Sequence, residues 1–169
     1  MKNSIRTKII SCPQFTLLII VLLFVLTGCD EKSSQTIAAS NISAEDIERI
    51  RKINKDYTEG WLENDSTKVL GHYSDSATII PSGLMPIQGK KAITEFWFPK
   101  DNSTTVIHYY DLEILNISGG ADHAYTYEHG KLSFTYIKDD FRMDREAESY
   151  AVTIYEKGEL EKWKIIKRI

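Results

Sequence analysis

Ser43-Ala44-Glu45-Asp46-Ile47-Glu48-Arg49-Ile50-Arg51-Lys52-Ile53-Asn54-Lys55-Asp56-Tyr57-Thr58-Glu59-Gly60-Trp61-Leu62-Glu63-Asn64-Asp65 carries the pattern from which the rest of the chain is read. Ile47, Ile50, Ile53, Tyr57 and Trp61 recur at gaps of three, three, four and four, which is one face of an α-helix. Glu48, Arg49, Arg51, Lys52, Lys55, Asp56 and Glu59 occupy the other face and belong in water. Ser43 suits the cap, and Glu45 and Asp46 fall in the first turn, where the helix dipole favours carboxylates. Asn64-Asp65 ends the helix. A long helix with all its isoleucines and aromatics on one side has to bury that side against something concave.

The downstream sequence supplies the concave partner. Ser66 is expected to cap a short second helix carrying Val69, Leu70 and Tyr73. Ala77-Thr78-Ile79-Ile80 reads as a brief strand stopped by Pro81 and Ser82-Gly83. Gly89 precedes a third short helix from Lys90 to Trp97, with Ile93, Phe96 and Trp97 inward and Pro99 closing it. From Thr104 the residues are β-branched and aromatic: strands over Thr104–Ile117, Ala124–Ile137, Glu146–Tyr155 and Trp163–Ile169. Gly119-Gly120 and Gly158 mark turns, and Lys138–Arg145 reads as a charged loop. Helices first and antiparallel strands after predict an α+β fold, a sheet folded over helices. There is no internal repeat and no second linker, so residues 43–169 form one domain.

The N-terminus reads as an address. Lys2, Arg6 and Lys8 precede an apolar run from Phe15 to Leu26, and Thr27-Gly28-Cys29 follows. Basic, apolar and small-residue parts in that order are the layout of a secretory signal. The run is too short to cross a bilayer as a helix, which takes roughly 20 residues. The small pair before Cys29 resembles a bacterial lipobox, in which the signal is cut before the Cys and the Cys is acylated. That resemblance implies a signal peptide over residues 1–28, lipidation at Cys29, membrane anchoring through it, and a place in the bacterial cell envelope. Asp30-Glu31-Lys32 leaves the choice of membrane open. The small, polar residues from Glu31 to Ile42 read as a flexible tether, so residues 29–42 form the lipidated link.

Composition narrows the class. Of 169 residues, 42% are hydrophobic, enough for a packed core, and aromatics at 11% are generous for one small domain. A net charge of −3 gives no basic face for phosphates, so nucleic acid is not the expected partner. Cleavage would remove Cys12 and commit Cys29 to lipid, leaving no thiol for a disulfide or a nucleophile.

Three segments in order carry a family resemblance: Trp61-Leu62-Glu63-Asn64-Asp65; Tyr73-Ser74-Asp75-Ser76-Ala77-Thr78-Ile79-Ile80-Pro81; and Gly89-Lys90-Lys91-Ala92-Ile93. With Ala124–Gly130 and Lys162–Ile166, they look like the nuclear transport factor two-like superfamily. That superfamily includes ketosteroid isomerases, SnoaL-like polyketide cyclases and many domains of unknown function. The resemblance spans residues 43–169. It implies a cone: a curved antiparallel sheet wrapped around the long N-terminal helix, with two short helices and a pocket inside. It also implies a homodimer through the sheet.

Carried over residue by residue, the isomerase machinery is incomplete. Such enzymes use an Asp base with a Tyr and a protonated Asp on the oxyanion. Tyr57 falls at the oxyanion tyrosine, but Pro81 stands at the base position and Ala151 or Val152 near the second acid. Ketosteroid-type isomerisation is therefore not expected.

The remaining candidates follow from residue chemistry. Tyr57, Trp61, Trp97, Tyr127 and Tyr150 are the expected ligand-binding aromatics. Tyr57, Glu128 and His129 are the candidates for acid/base work. Glu128 and His129 are neighbours in a strand and must face opposite sides. His108, His123 and His129 lack metal-ligand spacing, so neither a metal nor a cofactor is expected. The leading reading is an envelope lipoprotein whose pocket binds a small apolar or aromatic molecule. The alternatives are a SnoaL-like or dehydratase-like enzyme and a lipid-anchored dimerisation or protein-interaction module. The sequence leaves turnover open.

Overall fold

The structure, a computed structural model, describes residues 41–169. The signal peptide, Cys29 and the tether through Ser40 lie outside the described residues. Asn41 and Ile42, expected in the tether, belong to the domain instead. The Asn41 N–H donates to the Gly119 carbonyl at 3.0 Å, and Ile42 is buried with the core.

Helix α1 spans Ala44–Leu62. Ser43 caps it: its Oγ accepts from the Asp46 N–H at 3.0 Å and donates to the Asp46 carboxylate at 2.8 Å. Ile50, Ile53 and Tyr57 are buried along the expected stripe, and Ile47 and Trp61 pack at its edges. Gly60 lets the next helix approach, because a Cβ there would meet Lys68 Cβ at 2.8 Å. Asn64 turns the chain at φ 54, a conformation Asn tolerates. Helix α2 (Ser66–Gly71) is capped by Asp65, one residue before the expected Ser66: its carboxylate accepts from Thr67 N at 2.8 Å and Lys68 N at 3.1 Å. Helix α3 (Lys90–Trp97) runs as expected, but Phe96 looks outward rather than into the core.

Six strands follow: β1 (Tyr73–Ile79), β2 (Ile87–Gln88), β3 (Ser103–Gly119), β4 (His123–Lys138), β5 (Phe141–Lys157) and β6 (Trp163–Arg168). They form one sheet in the order β2-β1-β6-β5-β4-β3. The sheet is mixed, which corrects the all-antiparallel expectation: β1 and β6 pair in parallel. β1 also starts at Tyr73, four residues before the expected Ala77.

The expected loop Lys138–Arg145 is not a loop. β4 and β5 remain paired out to Lys138 opposite Phe141, and only Asp139-Asp140 turn, with Asp139 at φ 51. β5 residues 144–150 are exposed, so no face there demands apolar side chains and the strand alternation vanishes.

Bulges curve the sheet. In β3, His108 and Leu115 are each extra residues against β4. Each resets the in-out parity, so that Ile107, Tyr110, Leu112, Ile114 and Ile117 share the concave face. That face closes over α1. A second anchor ties the N-terminus of α1 to the end of the sheet: Asp46 accepts from Lys157 Nζ at 2.8 Å and from Trp163 Nε1 at 2.8 Å. These bonds outweigh the burial that would raise its pKa, and hold the Asp46 carboxyl down at about 2.

Candidate functional site

β6 carries the residue on which the site turns. Trp163 and Ile165 are buried, so plain alternation would put Lys167 inside and Arg168 outside. A bulge at Ile166 reverses this. Ile165 pairs with Tyr155, Lys167 with Ile154 and Arg168 with Thr153. Thr153 is fully buried on the concave face, and Arg168 comes in beside it.

Inside the cone Arg168 meets Glu128. Its Nη1 donates to Glu128 Oε2 at 2.6 Å and to Thr153 Oγ1 at 2.6 Å. Glu128 is 0% exposed and its oxygens are engaged: Oε1 accepts from Thr126 Oγ1 at 2.5 Å, and Oε2 also accepts from Thr153 at 3.2 Å. The guanidinium stands over the Tyr57 ring at 5.1 Å, a cation–π contact. Burial alone would weaken the Arg168 proton. The neighbouring Tyr57 and Glu128 reverse that and hold its pKa well above the ordinary value. Burial also pushes the Tyr73, Tyr110 and Tyr155 phenols up, so each keeps its proton. The Tyr73 hydroxyl is buried and makes no hydrogen bond.

Two cavities open on this floor. The larger is about 790 Å³, bordered by Ile79, Trp97, Tyr110, Leu112, Val152 and Arg168 among others. The smaller is about 420 Å³ and is an aromatic box of Tyr57, Trp61, Trp97, Tyr110, Phe134 and Tyr136. Trp97, Tyr110 and Leu132 line both, so they form a wall between the two. That wall sits in a lattice of ring contacts: Trp97 lies 5.4 Å from Trp61 and 5.5 Å from Tyr73, and Tyr57 lies 6.2 Å from Tyr110.

The expected site residues divide. Tyr57, Trp61 and Trp97 line the interior. Tyr127 and Tyr150 touch the rim of the larger cavity, yet their parity puts them on the outer face. They are 40% and 61% exposed and stack on each other at 5.6 Å. Glu128 faces in and His129 faces out. His129 stacks on Tyr150 at 4.9 Å and bonds Glu148 at 2.6 Å. No hydrogen bond joins Tyr57 to either of them among the described residues, so the three acid/base candidates do not converge. Pro81, Ala151 and Val152 all border the larger cavity, and none carries a proton to exchange. Among the described residues no three His, Cys, Asp or Glu side chains are grouped to hold a metal.

Sequence reading missed Arg168, Tyr110, Thr126 and Thr153. A cation at the end of an apolar strand was the one available signal for Arg168. The threonines look like ordinary strand formers until they are seen bonded to Glu128.

No family model matches the chain, and no curated protein matches it in sequence. Solved structures do match in shape. A conserved protein from Planctomyces limnophilus superposes with a TM-score of 0.64 at 18% identity, over 75% of this chain and 94% of that one. A ketosteroid isomerase-like protein from Erwinia carotovora atroseptica gives 0.62 at 16%, over 75% and 95%. A nuclear transport factor two-like protein of unknown function from Pseudomonas putida gives 0.51 at 13%, over 76% and 87%. The chain has the nuclear transport factor two-like fold.

Proposed function

We propose that this chain is a lipid-anchored protein of the bacterial envelope whose cone binds a small, largely apolar molecule. One observation carries the binding reading: an open cavity of about 790 Å³ with mainly apolar walls, bordered by Trp97 and Tyr110 of the ring lattice. Ligand pockets typically hold about 300–1,000 Å³. The rejection of isomerase chemistry has the same basis, since the cavity meets inert side chains where a base would stand. Glu128 is a poor base here, because Arg168 and two threonines already occupy its oxygens.

The test is a thermal-melt screen of the full chain against neutral and charged aromatic compounds. Compounds that fill the cone raise Tm by several degrees. A flat screen ends the reading. The anchor is tested separately: labelled palmitate enters the wild type and not Cys29→Ala. Residues 1–28 and 29–40 supply the signal and link of this reading.

One further observation favours a dimer through the sheet. Tyr125, Tyr127 and Tyr150 lie exposed on its outer face. Sedimentation at rising concentration distinguishes monomer from dimer, and Tyr150→Glu shifts a dimer toward monomer.

A further inference from the structure

The geometry points to an organic monocarboxylate with an apolar body as the ligand of the larger cavity, its carboxylate held on the Nε–Nη2 edge of Arg168. This rests on the pocket-binding reading above and narrows it to one class of molecule.

A guanidinium has five N–H groups. In Arg168, Nη1 uses its two on Glu128 and Thr153. The other three, on Nε and Nη2, donate to no described residue. Two of them form a planar edge that matches the two oxygens of a carboxylate. The side chain is 14% exposed and borders the larger cavity, so a ligand can reach this edge. A carboxylate that takes this edge exchanges it from solvent to a charge-assisted, two-point bond.

The rest of the lining sets the body of the molecule. Arg168 is the one charged side chain among the residues that border the larger cavity. Around it are Ile79, Trp97, Leu112 and Leu132, with the Tyr110 hydroxyl as a further donor that burial keeps protonated. One charged group amid mostly hydrocarbon and aromatic surface, with Ser82 and Ser149 as the other polar side chains besides the tyrosines, suits an amphipathic acid.

Charge selects a monoanion. Glu128 already cancels the Arg168 charge at 2.6 Å. The floor therefore presents directed donors with little net field. A monocarboxylate takes the fork and adds one charge spread over two bonded oxygens. A phosphate dianion would add a second, uncompensated charge in a low-dielectric cavity.

The full chain in detergent, with empty micelles as blank, is titrated with 2-naphthoate and with its neutral isostere 2-naphthamide, following tryptophan fluorescence. Naphthoate is expected to bind about ten-fold or more tighter than naphthamide. Removing Arg168 alone strands Glu128, so the main variant is the double substitution E128Q/R168Q, which keeps the floor neutral. It should lose the preference, the two compounds then binding within about two-fold of each other. The second variant, R168K, keeps a point charge without the fork and should lose most of the preference. If the double variant loses its far-ultraviolet signal, R168K alone decides. Equal affinities in the wild type overturn the carboxylate anchor and leave the apolar pocket standing. A preference undiminished in both variants places the acid elsewhere and also overturns it. If neither compound binds at millimolar concentration, the pocket reading falls with the proposal.

Discussion

Among the described residues two ion pairs are buried, Asp46–Lys157 and Glu128–Arg168, and they are built differently. At the tip of α1, Asp46 and Lys157 are both fully engaged. Asp46 takes Ser43, Lys157 and Trp163, while Lys157 also bonds Glu161 at 3.0 Å and lies over the Trp163 ring at 5.1 Å. In the cone, Glu128 is equally engaged but Arg168 is not, since its Nε and Nη2 donate to no described residue. A closed network locks two elements together. A network with donors left over beside a cavity has capacity for a further partner. The contrast teaches that two equally buried pairs can differ in how many of their donors are used.

Four measurements would break or sharpen that contrast. The largest effect belongs to the cone. Arg168→Met leaves a fully buried carboxylate without its cation, and urea denaturation should show a loss of roughly 3–5 kcal/mol. The E128Q/R168Q double variant should stay within about 1–2 kcal/mol of wild type, since the neutral pair leaves no buried charge. If the single substitution costs no more than the double one, Arg168 is not the counter-charge of Glu128.

Asp46→Ala comes next, at about 2–3 kcal/mol by the same assay, because Lys157 keeps Glu161 and is not stranded. A cost above that of Arg168→Met would invert the ranking.

The third is the pH profile. The folded-state pKa of Asp46, about 2, lies below its ordinary 3.8. Its contribution is present above pH 3.8 and is lost as pH falls toward 2. Asp46→Asn should flatten the stability profile in that window. An unchanged acid limb would show that other carboxylates govern it.

The smallest effect is on the outer face. His129→Ala removes a ring stack and a bond to exposed Glu148, and Tm should stay within about 2 °C of wild type. A larger drop would make the outer aromatic ladder structural.

Much of this architecture was legible in the sequence, for reasons specific to each part. The stripe from Ile47 to Trp61 could only be a helix, and its need for a concave partner called for a curved sheet. Ser43 and the glycine turns were readable because caps and turns are local chemistry. What escaped was non-local or broke a period. The parallel pairing of β1 with β6 joins segments far apart in the chain, and no local signal announces it. Residues 138–145 hid their strand because exposure on both faces erases alternation. Within the site, Tyr57, Trp61 and Trp97 were visible as an aromatic stripe, and one of Glu128 and His129 had to point inward. Arg168 was hidden, because only the bulge at Ile166 decides its side, and a bulge depends on both strands at once.

The same bulge bears on robustness. A slip of one residue in β6 would turn every following side chain to the opposite face. At this spot the exchange brings Lys167 inward in place of Arg168. Both are cations. A chain that folds in either register therefore still offers Glu128 a counter-charge, and the interior carboxylate is never trapped against bare hydrocarbon. The forked edge belongs to only one of the two registers. The consecutive basic pair thus makes the counter-charge tolerant of an error to which the forked edge is sensitive.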